Sequence, residues 1–199
     1  MPLNDRHSMI VSKGRNVYWL ALLTALIMLL PGDIRDVLYL DFERVMNGEI
    51  WRAISGHLTH LSWTHWLLNI AGLMLLQQFY SQYFSTWHWL GALVFIMLAV
   101  SIGLLTFSEE LKWYGGLSGV LIGLFYISAI NDYQHKKIFN ALALAGLSLY
   151  IFIQQLLGER IEGLANSVTV ATRAHLLGAI AGLLWLLLAH LWSKLNHNR

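Results

Sequence analysis

Long uncharged apolar runs constrain this chain more than any other feature. The clearest extends from Trp87 to Phe107 without a single Asp, Glu, Lys or Arg. At a rise of about 1.5 Å per residue it would form a helix of roughly 30 Å, which matches the hydrocarbon thickness of a bilayer. Hydrophobic residues make up 57% of the 199 residues and charged residues only 12%, whereas soluble domains carry about 25% charged residues. The sequence therefore predicts an integral membrane protein.

The same length criterion predicts six transmembrane helices in an all-α bundle, forming a single domain over residues 1–199. The segment 32–62 carries acids and arginines among scattered apolar residues, so we expect an interfacial loop rather than a span. No linker-like tract or internal repeat in the sequence marks a second domain. The predicted spans are about 16–31, 63–84, 87–107, 116–130, 138–157 and 172–193.

Cysteine content and charge exclude several kinds of site. Cysteine is absent, which excludes disulfides, thiolate metal sites and a cysteine nucleophile. The net charge of +2 is spread along the chain and offers no basic stripe for nucleic acid. The first span lacks a small-x-small cleavage site, so we expect an uncleaved helix. Basic residues at 13, 15, 136 and 137 favour cytoplasmic termini, although Lys and Arg are almost balanced between the two sides.

The fourth apolar run is short and begins at a lone serine between glycines. From Ser118 to Ile130 it has about thirteen residues, or about 20 Å of helix, roughly 10 Å less than the hydrocarbon thickness. We therefore expect Ser118 below the membrane surface, starting the helix in mid-membrane. Non-helical backbone at that depth must lie inside protein or line a wet cavity. Gly116 and Gly119 fit either a sharp turn into the helix or a small-residue packing site.

Polar side chains on two other spans are expected at the same level. His65 and Asn69 are four residues apart and share one face of the second span. His175 lies at the start of the sixth span. Ionisable groups within a span are costly and are functional candidates by default. A single histidine near a membrane end is more typical of an interfacial position, and it is the convergence with Ser118 that favours a site.

These residue types predict acyl-transfer chemistry. A serine hydroxyl becomes a good nucleophile when a neighbouring base takes its proton, and histidine is the usual base. We expect a dyad of Ser118 and His175, with packing or water orienting the imidazole because the spans contain no Asp or Glu. Donors to an oxyanion are the Ser118 N–H at the helix N-terminus and the side chains of His65 and Asn69.

Two glycines follow the histidine of the sixth span. Gly178 and Gly182 are four residues apart, so they form a small-residue face of the kind that lets membrane helices approach closely. We expect this face to bring the sixth helix against the fourth. A hydrogen bond from Ser118 to His175 requires that closeness.

Four motifs in order resemble those of the rhomboid family of intramembrane serine proteases. EIWR at 49–52 resembles the tryptophan-arginine element of the family's first loop, and HLTHLSWTHWLLN at 57–69 resembles its second helix, with the HxxxN motif and upstream histidines. GLSG at 116–119 matches the nucleophile motif. AHLLGAIAG at 174–182 matches the family's histidine followed by two spaced glycines. The resemblance covers most of the chain from Glu49 onwards.

The resemblance implies an intramembrane serine endopeptidase that uses no cofactor or metal. Ser118 would be the nucleophile and His175 the general base, with His65 and Asn69 as oxyanion ligands. It also implies a cavity open to the outer side. With the charge bias of the loops, we expect a bacterial inner-membrane protein with both termini cytoplasmic and this cavity on the periplasmic side. The substrate would be a single-span membrane protein whose helix unwinds near small residues and enters between the second and fifth helices.

Further implications concern the first loop and the support of the imidazole. Trp51 and Arg52 would be structural and brace the loop. The residue four after the nucleophile, an aromatic in well-known members that stacks on the base, is Ile122 here. Tyr114 and Phe125 are candidate substitutes. The compact six-span chain also resembles the rhombosortase branch, associated with GlyGly-type C-terminal anchors, and a general bacterial-type rhomboid is the equal alternative.

Two other functions compete with proteolysis. A metal or haem site could use His57, His60, His65 and His175, since imidazole is a common ligand. That hypothesis lacks the i,i+4 spacing of a helical zinc pair and leaves GLSG unexplained. The third hypothesis is a catalytically inactive rhomboid-like protein that binds membrane clients, although such proteins normally lack the serine or the histidine. The sequence leaves the oligomeric state open.

Overall fold

The computed structural model describes residues 15–81, 86–108, 111–157 and 172–197. Over these ranges the chain is mostly helical, as expected where lipid cannot satisfy backbone hydrogen bonds. The helices are α1 (Arg15–Met28), α2 (Gly32–Asp36), α3 (Phe42–Met46), α4 (Arg52–Leu58), α5 (Trp63–Tyr80), α6 (Thr86–Phe107), α7 (Ser118–Asn131), α8 (Lys137–Leu157) and α9 (Thr172–His197), and the strands are β1 (Leu40–Asp41) and β2 (Trp113–Tyr114).

Three of the described helices are long and apolar enough to cross a membrane. They comprise Trp87–Phe107 of α6, the whole of α8 and Thr172–Asn196 of α9. The apolar stretches of α1 and α7 are shorter. Large apolar side chains such as Leu142 on α8 and Leu187 on α9 are exposed on the outside of the bundle, where lipid would cover them. The protein is therefore an integral membrane protein.

The helices α1 and α9 end at residues other than the ends of the predicted spans. α1 ends at Met28 rather than at 31, because Pro31 disfavours helical geometry in the residue before it. α9 continues to His197, beyond the predicted 193, since polar residues such as Lys194 end an apolar run without ending a helix. Residues 82–84 of the second predicted span lie outside the described part of the chain.

The helix α7 lies at the centre of the bundle. It contacts α5, α6, α8 and α9, and nine of its 14 residues are buried. Its sequence is apolar on every side, which is typical of a helix without a water-facing stripe. At its C-terminal end, Asp132 accepts a hydrogen bond from Asn140 at 2.9 Å, and Asn140 accepts one from the Tyr80 hydroxyl at 2.8 Å. This buried network ties the C-terminal end of α7 to α5 and α8.

The segment 32–62 folds into α2, α3, α4 and β1, without a long helix. Strand β1 pairs antiparallel with β2, with Leu40 opposite Tyr114 and Asp41 opposite Trp113. A Cβ added at Gly56 of α4 would lie 2.7 Å from Leu40 Cβ, so α4 packs directly on β1. The strand pair thus connects this segment to the residues that lead into α7.

Arg52 holds the segment together from inside. It is fully buried, and its guanidinium donates to the Glu49 carboxylate at 2.6 Å and to the carbonyls of Asp36 and Tyr39 at 2.9 and 2.8 Å. Trp51 is half exposed, and its indole N–H donates to the carbonyl of Val37 at 3.3 Å. A buried charge needs such partners to offset its lost hydration.

Glycines bring α7 and α9 together, backbone against backbone. A Cβ added at Gly119 would lie 2.6 Å from the carbonyl oxygen of Ala174, and one at Gly123 would lie 2.7 Å from that of Gly178. A Cβ at Gly182 would lie 2.9 Å from the Cα of Gly123. These separations are too short for any side chain, so only glycine permits the contact.

We expect Gly182→Ala to lower the free energy of unfolding by about 1–3 kcal/mol, because the added methyl group overpacks against Gly123. Gly146→Ala is the matched control on α8, where an added Cβ would meet nothing within 4 Å. That control should leave stability unchanged or raise it by up to about 1 kcal/mol. Thermal unfolding in detergent measures both, and equal stabilities would contradict the importance of the backbone contact.

Candidate active site

A turn at Gly116 immediately precedes the helix that begins at Ser118. Gly116 has a φ of +147°, which residues with side chains rarely adopt. Its N–H donates to the carbonyl of Gly56 at 3.1 Å, and its carbonyl accepts from the Tyr114 hydroxyl at 2.7 Å. These bonds satisfy backbone groups outside any helix. The helix α7 consequently begins at Ser118, two residues after the predicted start at 116.

Ser118 and His175 are within hydrogen-bond distance. Ser118 Oγ lies 2.9 Å from His175 Nε2. Ser118 is the first residue of α7 and His175 lies in the first turn of α9, so the contact joins two helix N-termini. His175 is 6% exposed and Ser118 is partly exposed. The hydroxyl is therefore open to approach while the imidazole is screened from solvent.

A glutamine lies on the other side of the imidazole. Gln154 of α8 places its amide oxygen 2.7 Å from His175 Nδ1. The sequence prediction left the orientation of the ring to packing or water, and the structure adds a hydrogen-bonding side chain from α8. Sequence reasoning missed Gln154 because it searched the spans for carboxylates. The available signal was the pair of glutamines at 154 and 155 within an otherwise apolar run.

The aromatic ring beside His175 belongs to Tyr150. The two ring centroids are 6.4 Å apart, with 35° between the planes. Such a distance is within the range of ring contacts. Tyr150 and Gln154 are four residues apart and share one face of α8. Ile122, at the position where the resemblance implies an aromatic, instead packs with the apolar cluster around Tyr126.

The two substitutes considered for Ile122 make ring contacts elsewhere. The Tyr114 ring lies 5.4 Å from that of His57. The Phe125 ring lies 5.9 Å from that of Tyr80, towards the other end of α7. Neither of these ring contacts involves His175, whose ring contact among the described residues is with Tyr150 of α8.

Helix α5 places His65 against the turn before Ser118. A Cβ added at Gly116 would lie 2.6 Å from His65 Cε1 and 3.0 Å from Nε2. Asn69 is 4% exposed and donates to the carbonyl of His65 at 3.0 Å. Its amide nitrogen carries a second hydrogen that can serve another acceptor. His65 thus adjoins the GLSG stretch, with Asn69 one turn further along α5.

The upstream histidines make packing and hydrogen-bond contacts. His57 Nε2 lies 2.9 Å from the carbonyl oxygen of Met97 and 3.0 Å from the hydroxyl of Ser101, both on α6. The His60 and His65 ring centroids are 5.3 Å apart. In the part of the chain that the structure describes, no group of three or more His, Asp or Glu side chains is arranged to hold a metal ion.

Comparison with known proteins identifies relatives of this chain. A family model described as the Rhomboid domain matches residues 47–192. Rhomboid protease GlpG of Haemophilus influenzae is 27% identical over 176 residues, which cover 83% of this chain and 82% of that protein. The matched region includes every helix from α4 to α8 and most of α9. The chain belongs to the rhomboid family of intramembrane serine proteases.

Proposed function

We propose that Ser118 is the nucleophile and His175 the general base of this protease, and that it cleaves single-span membrane proteins in or near their transmembrane segment. The observation that carries the proposal is the 2.9 Å contact between Ser118 Oγ and His175 Nε2. A proton can pass along this hydrogen bond as the oxygen attacks. The six-span single-domain bundle, with α7 starting in mid-membrane, is part of the same proposal.

The reaction has two stages. Ser118 Oγ bonds to the peptide carbonyl carbon while its proton passes to His175 Nε2. The imidazolium gives that proton to the leaving amine as the C–N bond breaks, which leaves an acyl-enzyme. Water then attacks the ester carbonyl, losing its proton to the same nitrogen. Collapse of this second intermediate returns the proton to Ser118 and releases the new carboxyl group.

Donors near Ser118 would stabilise the oxyanion that forms in each stage. The first N–H groups of a helix have no acceptor within that helix, so the Ser118 N–H at the start of α7 suits this role. His65 lies against Gly116, two residues before Ser118, and the buried Asn69 follows one turn later. We assign both side chains as oxyanion ligands.

An apolar cleft supports the route proposed for the substrate. It has a volume of about 330 Å³ and lies between α5, α7 and α8. Those helices include the second and fifth predicted spans, between which the substrate helix would enter. Side chains that line the cleft include Leu75, Phe79, Leu121, Phe125, Phe139 and Leu147.

Activity should depend on both members of the dyad. A fluorophosphonate probe is expected to label the wild-type protein in detergent, whereas Ser118→Ala should not label at all. His175→Ala should slow labelling by about 10²- to 10⁴-fold, because it removes the general base. In-gel fluorescence measures the labelling, and thermal unfolding shows that each variant is folded.

Folded wild-type protein that does not label would contradict the proposed nucleophile. That result would favour either a histidine-ligated metal or haem site or a catalytically inactive relative that binds membrane clients. Metal analysis of the purified protein then separates a histidine-ligated metal site from an inactive client-binding relative. Binding of a single-span protein without cleavage would support the latter.

We place the protein in a bacterial inner membrane with both termini cytoplasmic and Ser118 near the periplasmic side. The exposed Lys136, between α7 and α8, and Lys137, the first residue of α8, support this orientation. Because the chain contains no cysteine, maleimide labelling of a single introduced cysteine shows which side of the membrane that residue faces. An impermeant maleimide should label Met46→Cys in intact spheroplasts and should label Gln134→Cys only after lysis. The reverse pattern would contradict the orientation.

The finer proposal is that the cleaved anchor is of the GlyGly type, as in the rhombosortase branch. Glycines carry no side chain and adopt any backbone geometry, which suits attack by a serine at the end of a buried helix. Two reporters that differ only in GlyGly or ValVal before the transmembrane anchor should differ by at least about tenfold in cleavage rate. Equal rates would instead support a general rhomboid specificity.

A further inference from the structure

Gln154 completes a row of three side chains contributed by three helices. Its amide oxygen is 2.7 Å from His175 Nδ1, and His175 Nε2 is 2.9 Å from Ser118 Oγ. Gln154 lies on α8, His175 on α9 and Ser118 on α7. Gln154 is 1% exposed and His175 6% exposed, so bulk water does not compete for the imidazole nitrogens.

The position of one proton decides whether the imidazole can act as a base. Neutral imidazole carries a hydrogen on one nitrogen and a lone pair on the other. To take the proton of Ser118, Nε2 must carry the lone pair and Nδ1 the hydrogen. We propose that Gln154 is a positioning residue whose amide oxygen accepts the Nδ1–H bond and thereby holds His175 in the productive tautomer and orientation. This inference rests on the proposed function of Ser118 and His175.

A neutral amide suits this position in the membrane. An ionised carboxylate removed from water is costly unless it is paired and hydrogen-bonded. The amide oxygen accepts the same hydrogen bond without a net charge. It also stabilises a protonated imidazole less than a carboxylate would. The geometry therefore assigns Gln154 to the choice of tautomer and to ring orientation rather than to charge compensation.

Gln154 and its neighbours on α8 make different contacts. Tyr150, one turn earlier, places its ring 6.4 Å from that of His175. The adjacent Gln155 has a different partner, because its amide nitrogen donates to the carbonyl of Thr172 at 3.0 Å. The two glutamines have the same chemistry and different contacts. Gln155 therefore provides a matched control.

The first test compares fluorophosphonate labelling rates of wild-type and variant proteins in detergent. Gln154→Met removes the amide at similar volume and should slow labelling by about ten- to a hundredfold. Gln154→Glu retains an acceptor oxygen and should label at least about fivefold faster than Gln154→Met. Gln155→Met should label within about twofold of wild type. Thermal unfolding identifies any variant that has lost its fold.

The second test reads the tautomer directly and needs no turnover. ¹⁵N NMR of histidine-labelled protein distinguishes protonated from unprotonated imidazole nitrogens, and the signals of His175 are identified by their loss in His175→Ala. We expect wild-type His175 to carry its proton on Nδ1. In Gln154→Met the proton should move partly or wholly to Nε2.

The outcomes separate this inference from the function on which it rests. Wild-type protein that fails to label contradicts the role of Ser118, and the NMR spectrum still reports on Gln154. A wild-type His175 protonated on Nε2 would overturn the role of Gln154, even with normal labelling. Labelling of Gln154→Met at the wild-type rate would overturn it too. Equal slowing in Gln154→Met and Gln154→Glu would show a purely structural contribution and would also overturn it.

Discussion

The backbone contact between α7 and α9 is the constraint on which the rest of the structure depends. Gly119 packs against the carbonyl of Ala174, the residue before His175, and the same side of α9 continues through Gly178. Closely packed interiors do not absorb an added methyl group without displacement. The 2.9 Å distance between Ser118 and His175 is therefore a property of two helix axes held together along several turns.

Both ends of α7 are fixed by polar contacts that lipid could not supply. At the N-terminal end, the β1–β2 pair and the hydrogen bonds of Gly116 satisfy the non-helical backbone. At the C-terminal end, Asp132 joins the network with Asn140 and Tyr80. A helix of 14 residues is thus held at a defined position among α5, α6, α8 and α9, which are all longer. Ser118, at its head, stays accessible because the chain approaches through a turn and not through another helical segment.

Sequence reasoning predicted those members of the candidate site that lie in short motifs. Ser118 follows a glycine turn, and His175 precedes spaced glycines, so local pattern identified both and the structure places them in contact. The adjacent glutamines at 154 and 155 stand out within an apolar run, but that pattern alone does not single out Gln154. Which of two adjacent glutamines faces inward depends on how α8 is rotated against α7 and α9, and no local pattern records that rotation. The ring contact of Tyr150 was also missed, because Tyr150 lies on a helix remote in sequence from Ile122.

The placement of Gln154 on α8 has a consequence for the order of events during turnover. Of the three long apolar helices that the structure describes, α8 is the least buried within the bundle. It also forms one wall of the apolar cleft. Any outward movement of α8 would widen the cleft and withdraw the amide from His175 in one displacement. The hydrogen bond to His175 and the width of the cleft therefore depend on the position of the same helix.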